Sequence, residues 1–175
     1  MRLFIAINFG DATKNALLAL RDELRSRAEF GDFSLPENLH LTLVFIGECT
    51  AKQVSLIKTA MDAANSKPFG LLIDRVGRFG RGSEQGEALW WAGVRGDKAL
   101  LDLQRDLTDR LAAAGFSVDR RKYSPHITLG RRVVVDTAPW LINPFGENIC
   151  KIDLMKSERI NGKLTYTSIY GVNLR

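Results

Sequence analysis

The chain has 175 residues, of which 45% are hydrophobic and 26% are charged, and its 25 Lys and Arg against 20 Asp and Glu give a formal charge of +5. This composition is ordinary for a globular protein and excludes a disordered or collagen-like chain. No apolar run reaches the roughly 20 residues that a membrane-spanning helix needs, so we expect no contact with a membrane. A pI near 9.4 favours anionic partners such as phosphates or nucleic acid.

The cysteines and the first residues indicate the compartment. Cys49 and Cys150 stand far apart in the sequence and do not form a disulfide framework. The opening segment MRLFIAINFG turns polar too early for a signal peptide. We therefore expect a cytoplasmic protein, with a monomer as the default state.

Hydrophobic patterning predicts ten elements in the order β-α-β-α-β-β-α-β-β-β. The predicted strands span 2–8, 39–46, 69–76, 88–94, 126–135, 149–157 and 164–172. Three helices are expected to begin with capping residues at Asp11, Thr50 and Asp97. The glycine- and proline-containing segment 31–38 and the glycine-rich segment 77–87 are predicted to be loops.

This order of elements predicts an α+β fold with mostly antiparallel sheets. The two halves of the chain look alike, because each contains a helix followed by a strand that begins with histidine. No linker or low-complexity tract separates them. We therefore expect a single domain over residues 1–175, built from two similar lobes packed together.

Both histidines of the chain stand in the same local sequence. His40 lies in LHLTLVFIG and His126 in PHITLGR, so each is followed by an apolar residue, a threonine and another apolar residue. Because side chains on a strand alternate between faces, His40 shares a face with Thr42, and His126 shares one with Thr128. Each strand would present an imidazole and a hydroxyl side by side, with apolar side chains on the opposite face.

Such a set suits phosphodiester chemistry. A neutral imidazole can take a proton from water, while an imidazolium across the site protonates the leaving oxygen. Threonine hydroxyls can bind the phosphate oxygens on which negative charge builds up. A single strand histidine is more often an ordinary packed residue, but a matched pair in a chain with no other histidine favours a site.

Five sequence blocks carry a resemblance to a known family: RLFIAI, NLHLTLVFIGE, LWWAGV, YSPHITLGR and the late GKLTY. Together with the paired HxTx motifs, they make nearly the whole chain resemble the two-histidine phosphoesterase superfamily. Within it, the chain is most similar to the RNA 2′,3′-cyclic phosphodiesterases, also called 2′-5′ RNA ligases. The resemblance implies two similar α+β lobes around a central cleft.

The resemblance also implies a reaction and roles for five residues. His40 would be the proton donor to the leaving oxygen and His126 the proton acceptor that activates water. Thr42, Thr128 and Arg131 would bind the phosphate. The reaction would open a 2′,3′-cyclic phosphate on RNA to a 2′-phosphomonoester without a metal or another cofactor, and it would join or cleave 2′-5′ linkages in a reversible side activity.

Arg131 conflicts with strict alternation along its strand. Five residues after His126, it would point to the face opposite His126 and Thr128. Gly130 would permit a bulge or a strand end that redirects the arginine side chain.

Four further residues are candidate RNA contacts. Arg78, Phe79 and Arg81 lie in the predicted glycine-rich loop, and Tyr123 follows the basic run 120–122. A solvated loop accounts equally well for the three loop residues, and a basic run such as 120–122 is usually solvated surface. Of the neighbours Trp90 and Trp91, one is expected to pack in the core and the other to be partly exposed.

Two other functions remain open at this point. The same chemistry could act on a small cyclic nucleotide, because the motifs do not read a base or a chain length. A non-catalytic RNA-binding module on an antiparallel sheet is the second alternative, although the RNP-type aromatic pattern is missing. A metal site is not expected, because neither the histidines nor the cysteines have ligand spacing.

Overall fold

The computed structural model describes residues 1–80 and 86–175. Its helices are α1 (Asp11–Arg27), α2 (Ala51–Asp62) and α3 (Lys98–Ala113), with a short 3₁₀ helix at Pro36–Asn38. Its strands are β1 (Arg2–Asn8), β2 (Phe30–Phe33), β3 (His40–Glu48), β4 (Phe69–Phe79), β5 (Ala88–Val94), β6 (His126–Val134), β7 (Trp140–Ile149), β8 (Lys151–Ile160) and β9 (Lys163–Asn173).

All ten predicted elements are present, and two strands were missed. The first is β2, in a segment predicted as a loop, and the second is β7, which contains Pro144. Both are edge strands. An edge strand has a partner on one side only, so it tolerates a proline or a short, glycine-containing sequence that patterning does not detect.

Two local predictions need correction. The capping residue of α1 is Gly10 and not Asp11, and no side chain caps this helix. The Gly10 N–H donates to the Glu147 carboxylate. Strand β4 continues to Phe79 and so includes the first three residues of the predicted loop 77–87. The connection between β4 and β5 is therefore shorter than predicted. The capping box at Thr50 and the Asp97 cap are confirmed.

The strands form two sheets in which every described pair is antiparallel. The four-stranded sheet has the order β3-β1-β8-β9, and the five-stranded sheet has the order β2-β6-β5-β4-β7. We call them the first and the second lobe. This arrangement confirms the α+β class with mostly antiparallel sheets.

The lobes do not correspond to the two halves of the chain. The first lobe combines β1 and β3 with the C-terminal strands β8 and β9, and helix α1 contacts the second lobe through β2, β6 and β7. The two histidine-bearing strands, β3 and β6, lie in contact where the lobes meet. The fold therefore places the two HxTx motifs next to each other.

One continuous cluster of buried apolar side chains joins the described parts of both lobes. Leu41 and Leu43 on β3, with Leu39 just before it, are buried beneath the face that carries His40, as the alternation predicts. On β5, Trp90 is completely buried and Trp91 is partly exposed, which confirms the expectation for this pair. In the described chain, no helix is long and apolar enough to cross a membrane.

Candidate active site

The two lobes enclose a cleft of about 980 Å³. Five predicted site residues line it together: His40, Thr42, His126, Thr128 and Arg131. Its volume lies at the upper end of the roughly 300–1,000 Å³ that small-molecule sites span. The cleft therefore has room for a nucleotide at the junction of β3 and β6.

Hydrogen bonds fix the tautomer of the His40 ring. Its Nδ1 lies 2.7 Å from the carbonyl oxygen of Asn38. Because a carbonyl can only accept, Nδ1 carries the hydrogen and the neutral ring keeps a lone pair on Nε2. The hydroxyl of Thr42, 3.0 Å from Nε2, donates to that lone pair. The ring is also enclosed by the aromatic rings of Phe4 and Tyr166, whose centroids lie 4.9 and 5.1 Å away.

The His126 ring is fixed in the same way but in different surroundings. Its Nδ1 donates to the carbonyl oxygen of Ser124, at 2.8 Å. No hydrogen-bond partner for Nε2 is found within residues 1–80 and 86–175, so this nitrogen is free to meet a substrate. Phe79 of β4 packs edge-on against the ring, at 4.8 Å between centroids.

Burial lowers the pKa of both imidazoles in the free protein. Loss of hydration lowers the pKa of His40 to about 4; the Asn38 carbonyl opposes this shift, and the charge of Arg131 adds to it. Loss of hydration also lowers the pKa of His126, with a further lowering by Arg131. Both rings are therefore neutral at pH 7 when no substrate is bound.

A bulge in β6 brings Arg131 to the cleft, so strict alternation gives the wrong face for this residue. Thr128 pairs with Trp91 on β5, but Gly130 pairs with Trp90, so β6 has one extra residue at Leu129. The bulge needs glycine at position 130, because a Cβ there would lie 2.7 Å from Val133 Cγ2 and 3.2 Å from Phe33 Cδ1.

Arg131 is also free to bind an anion. Among the described residues it has no carboxylate partner, whereas the neighbouring Arg132 forms an ion pair with Asp32. The Arg131 side chain lines the same cleft as both imidazoles, and its positive charge lowers the pKa of both histidines.

Tyr123, a candidate RNA contact, is partly buried and does not line the cleft. Its hydroxyl donates to the backbone carbonyl of Thr42 at 2.7 Å. Burial raises the pKa of this phenol. Tyr123 therefore ties the segment before β6 to β3, which holds the two histidine strands together.

The other three candidate RNA contacts have different positions. Phe79 contacts His126 and stays 39% exposed. The Arg78 guanidinium lies 5.8 Å from the Trp90 ring centroid, and Arg78 is not among the residues that line the cleft. Arg81 lies outside the described residues.

Sequence reasoning missed four residues that shape the site. Phe4 and Tyr166 enclose His40, Asn38 orients it, and the Ser34 hydroxyl donates to the Thr128 carbonyl at 2.7 Å. Alternation along β1 places Phe4 on the face opposite the buried Leu3 and Ile5, so this residue carried a usable signal. The sequence held no such signal for Ser34, which follows the missed strand β2. Within the described chain, no three His, Cys, Asp or Glu side chains converge as a metal site would require.

A two-lobed α+β fold in which each lobe contributes an imidazole and a hydroxyl to one cleft defines the class of two-histidine phosphoesterases. The family model of the 2′-5′ RNA ligase superfamily matches residues 10–155. The chain belongs to this superfamily.

Curated relatives carry one common description, RNA 2′,3′-cyclic phosphodiesterase. The protein from Thermotoga maritima is 31% identical over 133 residues, which cover 75% of this chain and 70% of the relative. The protein from Escherichia coli is 27% identical over 96% of this chain and 93% of its own length. A longer protein from Geobacillus stearothermophilus is 33% identical, and the match spans only 41% of its length.

Solved structures share the fold over the whole chain. A Thermus thermophilus protein, TT0787, has a TM-score of 0.85 at 24% identity and covers 100% of this chain and 98% of its own. Escherichia coli LigT complexed with 3′-AMP has a TM-score of 0.81 at 25% identity, with 99% and 96% covered.

Proposed function

We propose that the chain is an RNA 2′,3′-cyclic phosphodiesterase that hydrolyses the cyclic phosphate to a 2′-phosphomonoester. The observation that carries the proposal is the matched geometry of the two imidazoles. In each ring a backbone carbonyl holds the Nδ1 hydrogen, which leaves Nε2 to exchange a proton with a substrate in the cleft.

The proposed reaction uses both rings once. His126 Nε2 takes a proton from a water molecule, whose oxygen attacks the phosphorus. The bond from phosphorus to the ribose 3′ oxygen breaks, and His40 Nε2–H gives its proton to that oxygen. Protonation of His40 Nε2 ends the hydrogen bond that Thr42 donates to it in the free protein. The Thr42 hydroxyl can then turn to the phosphate, and Thr42, Thr128 and Arg131 bind the phosphate oxygens as their negative charge grows. The two imidazoles supply both proton transfers, so the proposal includes no metal or cofactor.

The acid role of His40 depends on the substrate, because the free ring is neutral at pH 7. A cyclic phosphate carries one negative charge, and a nearby negative charge favours the protonated form of an imidazole. Binding of the substrate therefore raises the pKa of His40, and the protonated His40 ring is then the proton donor. Arg131 limits this rise, since its positive charge opposes a second cation in the cleft.

The relatives support both the substrate class and the chemistry. All the curated relatives described above are RNA 2′,3′-cyclic phosphodiesterases, and the Escherichia coli LigT structures include complexes with 3′-AMP and with phosphate. Membership of the 2′-5′ RNA ligase superfamily supports a reversible ligation of 2′-5′ linkages at the same site. The comparisons give no support to a binding module without catalysis or to a preference for small cyclic nucleotides. The single domain, the monomeric state and the cytoplasmic location stay predictions.

The test is to incubate the protein, in excess EDTA, with a short RNA that ends in a 2′,3′-cyclic phosphate. We expect a product that resists a 3′-specific phosphatase, as a 2′-phosphate does, and no product from His40→Ala or His126→Ala. Thr167→Val, an exposed threonine on β9, is the control substitution and should behave as wild type. A product formed equally by the histidine variants, or tight RNA binding without turnover, contradicts the proposal.

A further inference from the structure

The face of the second lobe that carries His126 continues beyond the cleft. Cross-strand pairs share a face, and His126 pairs with Gly93, Thr128 with Trp91, and Arg75 with both Gly93 and Leu141. Arg75, Trp91 and Leu141 therefore lie on the same side of the sheet as His126. We call these three residues the ledge.

Two glycines let the ledge side chains lie flat against the sheet. A Cβ on Gly77 would lie 2.4 Å from Trp91 Cη2, and a Cβ on Gly93 would lie 2.5 Å from Arg75 Cγ. The Trp91 indole thus rests on the backbone of β4, while the Arg75 side chain rests on the backbone of β5. The Arg75 guanidinium lies 5.7 Å from the Trp91 ring centroid, so the two groups form one continuous surface.

This surface is accessible and apolar at its edge. Leu141 is 83% exposed, which is unusual for a large hydrophobic side chain on a strand. The groove along the ledge has a volume of about 220 Å³, below the range of pockets that enclose whole small molecules. A flat indole, a guanidinium and an exposed leucine suit a single planar ring that stacks from the solvent side.

Phe79 connects the ledge to the cleft. Its ring centroid lies 4.8 Å from that of His126 and 5.2 Å from that of Trp91, whereas the His126 and Trp91 centroids lie 6.4 Å apart. Trp91 is not among the residues that line the cleft. A nucleotide whose phosphate lies at His126 thus fills the cleft, and the ledge begins just beyond it.

Charge distinguishes the ledge from the opposite end of the cleft. Arg75 and Arg78 line the ledge groove, and none of its described lining residues is acidic. The neighbouring carboxylate of Asp74 is neutralised by ion pairs with Arg75 at 2.7 Å and Arg95 at 3.2 Å, so the groove keeps an excess of positive charge. At the far end of the cleft, Glu48 and Glu158 lie beside Arg2. A chain of phosphates avoids carboxylates, so it leaves the cleft more favourably over the ledge.

We propose that the ledge binds the base of the nucleotide that precedes the cyclic-phosphate end, so that the protein prefers RNA chains over cyclic mononucleotides. The proposal rests on the proposed function, because it needs the cyclic phosphate at His126. Stacking on aromatic and guanidinium planes tolerates any base. The preference therefore concerns chain length and not sequence.

The experiment compares a trinucleotide and a mononucleotide, each ending in a 2′,3′-cyclic phosphate. Wild type should have a KM about ten-fold lower for the trinucleotide. Trp91→Ala and Arg75→Ala should remove most of this advantage and leave kcat/KM for the mononucleotide within about two-fold, since the loss of one stacked base weakens binding about 5- to 150-fold. Trp91→Phe, which keeps a flat aromatic ring, should retain part of the advantage.

Two control variants separate the ledge from other exposed rings of the protein. Phe30→Ala removes an exposed ring whose centroid lies 5.6 Å from the Arg132 guanidinium. Phe30 thus resembles Trp91 in having an arginine neighbour, but it is not part of the ledge. It should keep the full preference for the trinucleotide. Phe45→Ala removes the ring beneath Arg2 at the far end of the cleft, and a loss confined to this variant would assign the RNA path to that end and overturn the proposal.

A binding measurement separates failure of the ledge from failure of the proposed function. The Kd of a 5′-labelled trinucleotide, measured by fluorescence anisotropy, should rise about ten-fold in Trp91→Ala whether or not turnover occurs. An unchanged Kd, or an equal loss on both substrates, rejects the ledge. Absence of turnover with either substrate in wild type rejects the proposed function. Thermal unfolding tests whether Trp91 has only a structural role. In that case Trp91→Ala would lower the Tm but leave the ratio of the two KM values unchanged.

Discussion

The two lobes carry the same His-x-Thr motif in different surroundings. In the first lobe, Phe4 and Tyr166 cover His40, and the Thr42 hydroxyl occupies its Nε2. In the second lobe, Phe79 packs edge-on against His126, and no described residue bonds the His126 Nε2. The two copies of the motif thus hold their imidazoles differently. We call His40 the closed ring, because it is covered and its Nε2 is bonded, and His126 the open ring, because its Nε2 has no described partner.

This difference comes from the neighbouring strands and not from the motif. Strand β3 is an edge strand whose one partner, β1, contributes Phe4, whereas β6 lies between β2 and β5. The closed ring loses more hydration, and its pKa falls to about 4. The Nε2 of the open ring has no partner among the described residues, which suits the role proposed for His126 in activating water.

The largest expected effect tests whether both lobes are needed for the chemistry. His40→Ala and His126→Ala should each lower kcat/KM for a cyclic-phosphate RNA by about 10²- to 10⁴-fold, because each removes one proton transfer. Circular dichroism should show an unchanged fold. If one variant kept near wild-type activity, the two-imidazole mechanism would be wrong and one lobe would serve only for binding.

The next test compares the two threonines. Thr42→Val and Thr128→Val should each lower kcat/KM by about 10²-fold, because each removes a hydrogen-bond donor to the phosphate. Only Thr42→Val should also change the pH dependence of kcat/KM, since the Thr42 hydroxyl alone is bonded to an imidazole nitrogen. Thr167→Val is the control for the substitution itself. Equal pH profiles for the two variants would contradict the closed-and-open comparison.

The pH dependence of stability tests the burial of His40. Its pKa is about 4 in the fold and about 6.5 in an unfolded chain, so between these values the unfolded chain binds more protons. Stability should therefore fall as the pH drops from 6.5 to 4, with His40 contributing about 3 kcal/mol to the change in the free energy of unfolding.

Urea unfolding across this pH range measures the effect. His40→Asn should flatten the dependence, and His126→Asn should flatten it less, because the second ring is less enclosed. Identical slopes in wild type and His40→Asn would show that the His40 ring stays hydrated.

The smallest effect concerns the tie between the lobes. Tyr123→Phe removes the hydrogen bond to the Thr42 carbonyl, which should cost about 1 kcal/mol in the free energy of unfolding. Because Tyr123 does not line the cleft, KM for RNA should stay within about two-fold. Chemical denaturation and steady-state kinetics give both values. A large rise in KM without destabilisation would instead support the prediction that Tyr123 contacts RNA.

Much of the fold follows from local sequence. Strongly patterned strands such as RLFIAIN and LHLTLVFI, and the capping residues Thr50 and Asp97, allow ten elements to be located. The missed strands β2 and β7 are edge strands with weak patterns, and their pairing depends on a neighbour that is distant in sequence. Phe30–Phe33 is a strand because β6 offers it a free edge.

The sequence by itself determined the two imidazole–hydroxyl pairs, because alternation on a strand places positions two apart on one face. It also determined the buried leucines beneath them. Only the tertiary structure decided that Arg131 joins the cleft, that Tyr123 is a tie between strands, and that His40 and His126 differ in burial. These outcomes depend on an extra residue at one bulge, on a hydrogen bond across 81 residues, and on rings supplied by strands far away in the chain. Such long-range neighbours leave no periodic trace in the local sequence.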